Sequence, residues 1–505
     1  MSKSDATPSA ALPLHSSMST VARNSAFVLG MQIVLKILAF AFNVYIVRRL
    51  GDVHFGRYSA VTAYVAVFAI FTDWGLSPYS MREMARDEEA TSWLLPNVIS
   101  LRILFSLVIL LVAPLSAMWL GKSSEMTLGI LIASAGLILY AFHGPLHSAL
   151  VSRERLDYTS TFSLVNSLIF WGVGALLLMS GMGFIGLVIA SLVGVFVMAT
   201  LSGWALWGLG VRDLEISVRR WPELFLGALP FGVSGIASVL RQRFDTVLMS
   251  FVLTDAEVGW YNVPWTLINM TLLLAQSLAV SLYPSMVRSY NEEPSSLRRF
   301  VWRYMKYLLI LCLPISVGGT LLAERIIITL YEETFIRSVP VLRIMLWALP
   351  SLFLLELLGR VSSTLQLERR RARIDVISAG VTVGLNLLLI PTLGIVGAAL
   401  ALLGGWTVRL IQYWVLIGSD RLTNHRWDAM ARVGVAAAAM GAVVFVLQGM
   451  GAFGPIDSKL GLVALIGIGA GVYAALLLIL GVIDQKEIAF LRTLTVDRFA
   501  RRKVG

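Results

Sequence analysis

The sequence predicts an all-α membrane protein with about 14 transmembrane helices, and composition and span length lead to that class. The chain has 505 residues, of which 57% are hydrophobic and only 14% are charged. Its mean hydropathy of +0.79 implies more apolar surface than a soluble fold can bury. Apolar stretches of roughly 20 residues, the length that crosses a bilayer, recur from residue 22 to residue 482. The polar gaps between them are too short for a soluble domain.

Six predicted helices occupy the first half of the chain. Polar turns separate them, among them RRLGDVHFGRY (Arg48–Tyr58) after the first helix and SRERLDY (Ser152–Tyr158) after the fourth. The helices are expected at residues 22–47, 57–79, 98–120, 126–150, 158–181 and 183–208. Together they predict an N-terminal six-helix lobe over residues 22–208.

Eight further helices are predicted in the second half. Six of them, at 223–252, 258–288, 304–323, 338–364, 373–393 and 394–418, predict a C-terminal six-helix lobe over 223–418. Two more, at 429–450 and 459–482, predict an additional helix pair over 429–482. Residues 1–21, which lack the apolar core of a secretory signal, are expected to form a disordered cytoplasmic tail. Residues 483–505 are expected to form a basic cytoplasmic tail.

The distribution of positive charge predicts the orientation of these helices. With the amino terminus inside, 28 of the 41 Lys and Arg residues fall on inner segments, 7 on outer loops and 6 within spans. This bias predicts that both termini are cytoplasmic. The net charge of +11 is concentrated on inner loops such as ERRRAR (Glu368–Arg373), which favours contact with anionic membrane lipids over nucleic acid. One cysteine, Cys312, excludes an internal disulfide and a cysteine-built metal site.

A short repeat predicts an internal duplication. Aligned at an offset of 203, residues 50–58 and 253–261 both read L-x-D-x-x-x-G-x-Y, and each occupies the outer turn after the first helix of its lobe. GMGFIGLVIA (Gly181–Ala190) and TLGIVGAALA (Thr392–Ala401) share G-x-x-G between the fifth and sixth helices. An even number of helices per lobe predicts two halves related by an axis along the membrane normal. Chance agreement of common turn residues is the alternative.

These segments resemble the oligosaccharide flippases of the MOP exporter superfamily, the Wzx-type or polysaccharide biosynthesis protein group. The similarity rests on RRLGDVHFGRYS, DWGLSPYSMREMARD (Asp73–Asp87), SRERLDY, RFDTVLMSFVLTDAEVGWYN and LYEETFIRSVPVLRIM, in this order over roughly residues 20 to 420. The resemblance implies two six-helix lobes around an alternating-access cavity. It also implies transfer of a polyprenyl-pyrophosphate-linked glycan from the cytoplasmic to the outer leaflet.

Basic residues at membrane depth are the candidate substrate-binding groups, because ionisable side chains there are costly and usually face a cavity or a partner. The candidates for a cationic cavity that binds pyrophosphate are Lys36, Arg241, Arg243, Arg409 and Arg360. Internal pairing is the alternative for two of them, since Arg241 and Asp245, like Glu356 and Arg360, are four residues apart on a helix. Arg360 could also extend to the inner interface.

Three acidic residues within or at the end of spans are candidates for ion coupling or ion pairing: Asp73, Asp245 and Glu356. Asp73 ends the second predicted helix, where a helix-terminating or ion-pairing role competes with a coupling role; Lys36 is one conceivable partner. His143 and His147 have the i, i+4 spacing of metal ligands, but Gly144 and Pro145 lie between them and no third ligand is near. We therefore expect no metal site and no cofactor.

The sequence favours a non-enzymatic transporter of a lipid-linked oligosaccharide, with a glycan polymerase or other export machinery as a possible further partner. A MATE-type multidrug antiporter has the same architecture but needs an acidic cavity for organic cations. A lipid II flippase, which also uses a cationic cavity, stays open as an alternative. A membrane glycan polymerase or ligase is disfavoured, because the longest outer connection, near residues 324–337, is short and contains no His.

Overall fold

The structure, a computed structural model, describes residues 14–293, 295–418, 427–451, 453–456 and 458–482. The described chain is helical almost throughout and divides into two compact units, Met1–Tyr45 and Ile46–Gly505. The helices are α1 (Leu14–Asp73), α2 (Leu76–Arg86), α3 (Thr91–Trp119), α4 (Ser124–Ser152), α5 (Leu156–Met179), α6 (Gly183–Gly208), α7 (Trp221–Val252), α8 (Asp255–Glu292), α9 (Ser296–Tyr331), α10 (Val339–Leu346), α11 (Leu349–Thr364), α12 (Glu368–Ile417), α13 (Trp427–Gly449) and α14 (Lys459–Ile479).

The start of α1 differs from the predicted tail boundary. The helix begins at Leu14, directly after Pro13, and so includes residues 14–21, which were expected to be disordered. Proline has no backbone N–H and is favoured at the start of a helix, where that N–H would have no partner, so the sequence around Pro13 is a natural start. The rest of the predicted amino-terminal tail and the predicted basic tail at 483–505 lie outside the described residues.

Glycines join two pairs of predicted helices into continuous elements. Gly51 (φ 68°, ψ −179°) lies between the first two predicted spans and kinks α1. Gly394 (φ 58°, ψ −137°) kinks α12 at the boundary predicted between 373–393 and 394–418. Positive φ is accessible to glycine at no steric cost, so the backbone kinks at each site without an extended loop.

Ten helices within the described residues are long and apolar enough to cross a membrane, or eleven if the bent pair Glu333–Leu346 and Leu349–Thr364 is one span. The predicted count of fourteen spans is therefore not confirmed. Two of the ten, α1 and α12, each contain two predicted spans. Helix α8 is not among the ten. The protein is a multi-pass, all-α membrane protein.

Side-chain packing within the second unit joins the helices into groups. Helices α3, α4, α5 and α6 pack against one another, as do α7, α8, α9, α11 and α12. A buried apolar cluster that includes Leu94, Leu150 and Leu206 also contains Leu224 and Ala228 of α7. Helices α13 and α14 pack on α9, where the Tyr473 hydroxyl donates to the Ile310 carbonyl at 3.0 Å.

The two copies of the repeat meet each other. A Cβ atom on Gly56 would overlap the backbone carbonyl of Asp255, and one on Gly259 would overlap that of Asp52. The contacts are reciprocal: the Trp260 indole N–H donates to Asp52 at 3.1 Å, and the Arg57 guanidinium donates to Asp255 at 2.8 Å. We call this contact of residues 52–57 with 255–260 the outer clasp, after the predicted orientation. Only glycine allows backbones to approach this closely.

A second close contact lies toward the predicted cytoplasmic end. Gly75 (φ 79°), between α1 and α2, packs against Gly232 of α7, where a Cβ would lie 2.7 Å from the Trp74 carbonyl oxygen. The Trp74 and Phe225 rings are in edge-to-face contact with centroids 5.5 Å apart. We call this contact of residues 74–75 with 225–232 the inner seam. Together, the outer clasp and the inner seam hold α7 and the start of α8 against the C-terminal part of α1.

Candidate substrate-binding cavity

A cavity of about 340 Å³ opens between α7, α8, α11 and α12. Its size is at the lower end of the range of small-molecule sites, about 300–1,000 Å³. Four arginines line it: Arg241, Arg360, Arg371 and Arg409. The one acidic lining residue is Glu356, among the residues that the structure describes. The cavity is therefore strongly cationic.

Asp375 supplies a second carboxylate behind this lining. Its Oδ1 accepts a hydrogen bond from Arg409 at 2.6 Å and lies 3.9 Å from Arg241 Nη1. Its Oδ2 lies 3.9 Å from Arg371 Nε. One carboxylate thus faces three guanidinium groups, and with Glu356 and Arg360 the local set comprises four cations and two anions.

The geometry of α12 brings these groups together. Arg371 and Asp375 are one helical turn apart in the first two turns of the helix, so they share a face. After the kink at Gly394 the chain returns, which places Arg409 beside Asp375 although 34 residues separate them. A hydrogen bond of 2.7 Å from Ser378 to Gln412, with the same separation, fixes this register.

Several donors in the cavity have no partner. Arg241 Nε, Arg241 Nη1 and Arg409 Nε are buried without a hydrogen-bond acceptor within the described chain. A buried polar group without a partner costs about 1–3 kcal/mol, and more when it is charged. Water or an anionic ligand that supplies acceptors would remove this cost. The arrangement is therefore suited to a ligand with several anionic oxygens.

Aromatic and amide side chains complete the lining. The Arg409 guanidinium lies 5.5 Å from the ring centroids of both Trp406 and Tyr413. Trp265 of α8 lines the opposite wall. The polar lining residues Gln242, Asn269 and Gln276 carry side-chain amides that both donate and accept hydrogen bonds. Such amides and flat rings are suited to hydroxyl groups and to the apolar faces of sugars.

Three of the five predicted basic residues gather in this cavity: Arg241, Arg360 and Arg409. Arg243 is not a lining residue; it lies elsewhere on α7, where its charge acts on Asp245 and on Tyr58. Arg241 and Arg243 are two residues apart, so their side chains leave the helix in directions that differ by roughly 200°. Lys36 belongs to the compact unit that ends at Tyr45, and its side chain is exposed. Its proposed role in substrate binding stays a prediction.

The alternative pairing of Arg241 with Asp245 does not form. Arg241 approaches Asp375, whereas Asp245 is buried and accepts hydrogen bonds from the Tyr261 hydroxyl and from the Thr246 backbone N–H at 2.6 Å. Side chains lean toward the amino-terminal end of a helix, so Arg241 extends away from a residue one turn ahead of it. A basic residue that precedes an acidic one is also the weaker order for such pairs.

The alternative pairing of Glu356 with Arg360 is not formed either. Both side chains line the cavity, and the described part of the chain records no ion pair between them. The Arg360 guanidinium instead lies 5.8 Å from the ring centroid of Tyr283. Glu356 is therefore free to face a ligand.

Asp73 forms an ion pair and caps a helix. Its Oδ1 accepts from the Ser77 hydroxyl at 2.6 Å and lies 3.1 Å from Nη1 of Arg102, which is almost fully buried. Arg102 also donates to Ser77 at 2.7 Å. Sequence reasoning did not single out Arg102, although it lies within the predicted helix 98–120. His143 and His147 lie next to each other with ring centroids 5.8 Å apart, and no group of three or more possible metal ligands occurs among the described residues.

Sequence reasoning missed Arg371 and Asp375. Arg371 was counted with the ERRRAR loop as a lipid contact, but α12 begins at Glu368 and includes it. Asp375 is an acidic residue within the predicted span 373–393 and stands one turn after Arg371. An acidic residue within a predicted span is a functional candidate, which is the rule that singled out Glu356. Applied to Asp375, one turn after Arg371, the same rule would have found this pair.

Comparisons with known proteins agree with this architecture. The family model described as polysaccharide biosynthesis protein matches residues 21–290. A Haloferax volcanii protein named "Probable low-salt glycan biosynthesis flippase Agl15" is 24% identical over 412 residues, which cover 81% of this chain and 86% of the relative. "Probable flippase AglR" of the same organism is 25% identical over 480 residues, covering 91% of this chain and 96% of the relative.

Solved structures share the fold. The lipid II flippase MurJ in an inward closed conformation superposes with a TM-score of 0.71 at 16% identity, over 89% of this chain and 99% of that one. An inward-facing multidrug resistance MATE family transporter of the MOP superfamily superposes with a TM-score of 0.56 at 14% identity, over 75% and 93% of the two chains. The resemblance predicted from the sequence motifs is thereby confirmed. Since the matched segment covers more than half of its length, the chain belongs to the polysaccharide biosynthesis protein family.

Proposed function

We propose that the protein is a flippase that translocates a polyprenyl-pyrophosphate-linked oligosaccharide, such as an O-antigen, exopolysaccharide or capsule repeat unit, from the inner to the outer leaflet of the cell membrane. The observation that carries this proposal is the cavity lined by Arg241, Arg360, Arg371 and Arg409, with buried donors that lack a partner. Both Haloferax volcanii relatives are named as probable flippases, and the name of one of them adds glycan biosynthesis, which supports this proposal.

The diphosphate of the substrate occupies the arginine-rich wall. Guanidinium groups bind phosphate oxygens through two parallel N–H···O bonds, and such charge-assisted bonds are about twice as strong as neutral ones. Arg241 and Arg409 have buried donors available for this purpose. The diphosphate thus satisfies donors that the protein leaves open.

The glycan extends from this wall, and the polyprenyl tail stays in lipid. Amides at Gln242, Asn269 and Gln276 bind sugar hydroxyls, and Trp265 and Trp406 offer flat faces to the rings. A cavity of about 340 Å³ has room for the head group and the sugars nearest to it, so the remainder of a long repeat unit lies outside it. The charge of the cavity disfavours an organic cation, the substrate of a multidrug antiporter.

Transport proceeds by alternating access, in which the outer clasp and the inner seam open in turn. Each contact joins α7 or α8 to the C-terminal part of α1. Release of the clasp exposes the cavity to the outer leaflet, and release of the seam exposes it to the inner leaflet. Two such contacts, one near each end of the segment formed by residues 52–75, are the arrangement that a rocking mechanism needs.

Reconstituted transport tests the proposal. The purified protein is placed in proteoliposomes with a fluorescent polyprenyl-diphosphate glycan, and transfer between leaflets is measured for the wild type and for Arg241→Gln/Arg409→Gln. Loss of charge-assisted contacts worth about 1.5–3 kcal/mol each predicts at least a tenfold fall in rate. Arg343→Gln is the matched control, since Arg343 is exposed on α10 and does not line the cavity.

Parallel assays with lipid II and with an organic cation address the alternatives. Preferred transfer of lipid II would identify a peptidoglycan-precursor flippase, and transport of the cation would identify an antiporter. An Arg241→Gln/Arg409→Gln variant that transfers the glycan lipid at the wild-type rate would refute the assigned head-group site.

A further inference from the structure

Asp375 stands in an unusual electrostatic position. Its carboxylate contacts Arg409 at 2.6 Å and has Arg241 and Arg371 at 3.9 Å. Only about a fifth of its side chain is exposed, and it lies behind the arginines that line the cavity. The three arginines that surround it belong to two helices of the cavity wall: Arg241 to α7, and Arg371 and Arg409 to α12.

The cluster has far more donors than acceptors. Each guanidinium offers about five N–H donors, whereas one carboxylate accepts about four hydrogen bonds. Arg241 Nε and Nη1 and Arg409 Nε remain buried without acceptors in the described chain. One carboxylate can therefore hold the three cations together, but it cannot satisfy them.

We infer that Asp375 is a resident anion: in the empty carrier its carboxylate occupies the place of a substrate phosphate, and the diphosphate displaces it from Arg409 and Arg241. This inference rests on the proposed function of the cavity. It assigns to Asp375 a role in setting substrate affinity rather than a direct role in binding.

The transport cycle explains why a carrier would contain its own anion at the substrate site. A carrier that has released its substrate must return with an empty site, and uncompensated arginines at membrane depth are costly. A carboxylate within reach compensates them during the return step. The same carboxylate competes with the incoming phosphate. The apparent affinity for the substrate is reduced in proportion to the fraction of time that the carboxylate leaves the site free. Lower affinity in turn permits release at the outer leaflet.

A purely structural role for Asp375 predicts the opposite sign. If the carboxylate only orients Arg241 and Arg409, its removal disorders the guanidinium groups and weakens anion binding. If it is a resident anion, its removal frees their donors and strengthens anion binding. The direction of the change in affinity therefore separates the two roles.

The test uses Asp375→Asn, which keeps the shape of the side chain and removes its charge. Binding of inorganic pyrophosphate to the purified full-length protein is measured by calorimetry, and transport of the glycan lipid is measured in proteoliposomes. If the Asp375 carboxylate occupies the site about nine-tenths of the time, only about one-tenth of the wild-type sites are free. Removal of the carboxylate is then expected to make pyrophosphate bind about tenfold more tightly. Transport turnover is expected to fall, because release becomes slower. Asp375→Glu, which keeps the charge, is expected to bind pyrophosphate within about threefold of the wild type.

A second variant guards against loss of folding. Asp375→Asn/Arg371→Gln removes one anion and one cation together, which preserves the net charge of the cluster. It is expected to bind pyrophosphate more tightly than Arg371→Gln alone. Equal or weaker binding by both asparagine variants, relative to their respective parents, overturns the inference.

Failure of the inference and failure of the proposed function give different results. If the wild type binds pyrophosphate and Arg409→Gln weakens that binding, the head-group site stands, and an unchanged Asp375→Asn variant refutes only the resident anion. If neither the wild type nor Asp375→Asn binds pyrophosphate, both the inference and the head-group site are refuted.

Discussion

The outer clasp and the inner seam both depend on glycine, but different side chains surround the two crossings. At the clasp, Gly56 and Gly259 are flanked by charged and polar groups, and Arg57 bonds to Asp255 and to Glu125. At the seam, Gly75 and Gly232 are flanked by rings: Trp74 and Phe225 lie edge to face, and Arg82 stacks over Phe231 at 5.2 Å. One contact is held chiefly by charge and the other chiefly by aromatic packing.

This difference indicates how easily each contact opens to water. Partly exposed ion pairs contribute roughly 0–1 kcal/mol, because water replaces the partner at little cost. Aromatic pairs contribute about 0.5–1.5 kcal/mol beyond the apolar area that they bury, and water does not replace them. We therefore expect the clasp to open more readily than the seam, and the two contacts to respond to different perturbations.

Additional polar contacts at the predicted outer end follow the same pattern. Lys122, in the turn between α3 and α4, donates to the Ser250 carbonyl and lies 4.1 Å from the ring centroid of Phe251. Arg48 donates to the carbonyls of Leu330 at 2.7 Å and Thr329 at 2.6 Å. These contacts tie the ends of α7 and α9 to the first half of the second unit. Each can be exchanged for water when that end opens.

The largest effect is expected from Gly56→Ala in the clasp. The added methyl group overlaps the Asp255 carbonyl, which is backbone and cannot rotate away. Steric overlap of this kind typically costs about 1–3 kcal/mol or more, so the closed clasp is lost. A cavity cysteine, Asn269→Cys in a Cys312→Ser background, should then react faster with an impermeant maleimide added outside.

Gly172→Ala is the control for this substitution, because a Cβ at position 172 meets nothing within 4 Å. The control should label at the parental rate. If the Gly56→Ala protein is also labelled at the rate of its parent, the outer clasp does not close the outer side.

The second largest effect is expected from Gly232→Ala in the seam. The new Cβ would lie 2.7 Å from the Trp74 carbonyl oxygen, so the seam must separate by several tenths of an ångström. We expect about 1–2 kcal/mol of destabilisation of the closed seam and faster labelling of Asn269→Cys from the cytoplasmic side of inverted vesicles. Gly384→Ala, whose Cβ has open space, serves as the comparison. If labelling instead rises from outside, the two contacts do not gate opposite sides.

A smaller effect is expected from breaking the ion pair of the clasp. Arg57 and Asp255 are each about a quarter exposed, so a double-mutant cycle of Arg57→Gln and Asp255→Asn should give a coupling free energy of about 0.5–1 kcal/mol. The quantity measured is the equilibrium between clasp-closed and clasp-open protein, read from outside labelling. Glu125→Gln extends the cycle to the second partner of Arg57. Additive effects of Arg57→Gln and Asp255→Asn would mean that the pair does not hold the clasp.

Much of this arrangement could be predicted from the sequence, for specific physical reasons. Apolar length predicted an all-α, multi-pass membrane protein, and charge at membrane depth singled out Arg241, Arg360 and Arg409. Two kinds of information were missing. The repeat predicted that residues 52–58 and 255–261 are equivalent, but not that they touch, because that depends on tertiary packing. Arg371 was assigned to a loop, since positive-inside counting cannot distinguish a loop residue from the first turn of a helix.

The smallest effect expected is that of salt, and it tests the comparison most directly. The screening length falls from about 8 Å at 0.15 M to about 3 Å at 1 M ionic strength, which weakens partly exposed ion pairs and leaves aromatic contacts unchanged. Raising KCl should therefore increase outside labelling of Asn269→Cys by about twofold to threefold, the equivalent of about 0.5 kcal/mol, without an increase from the cytoplasmic side. In Arg57→Gln, which has already lost the pair, most of this response should disappear. An equal response to salt at both sides would mean that charge does not distinguish the clasp from the seam.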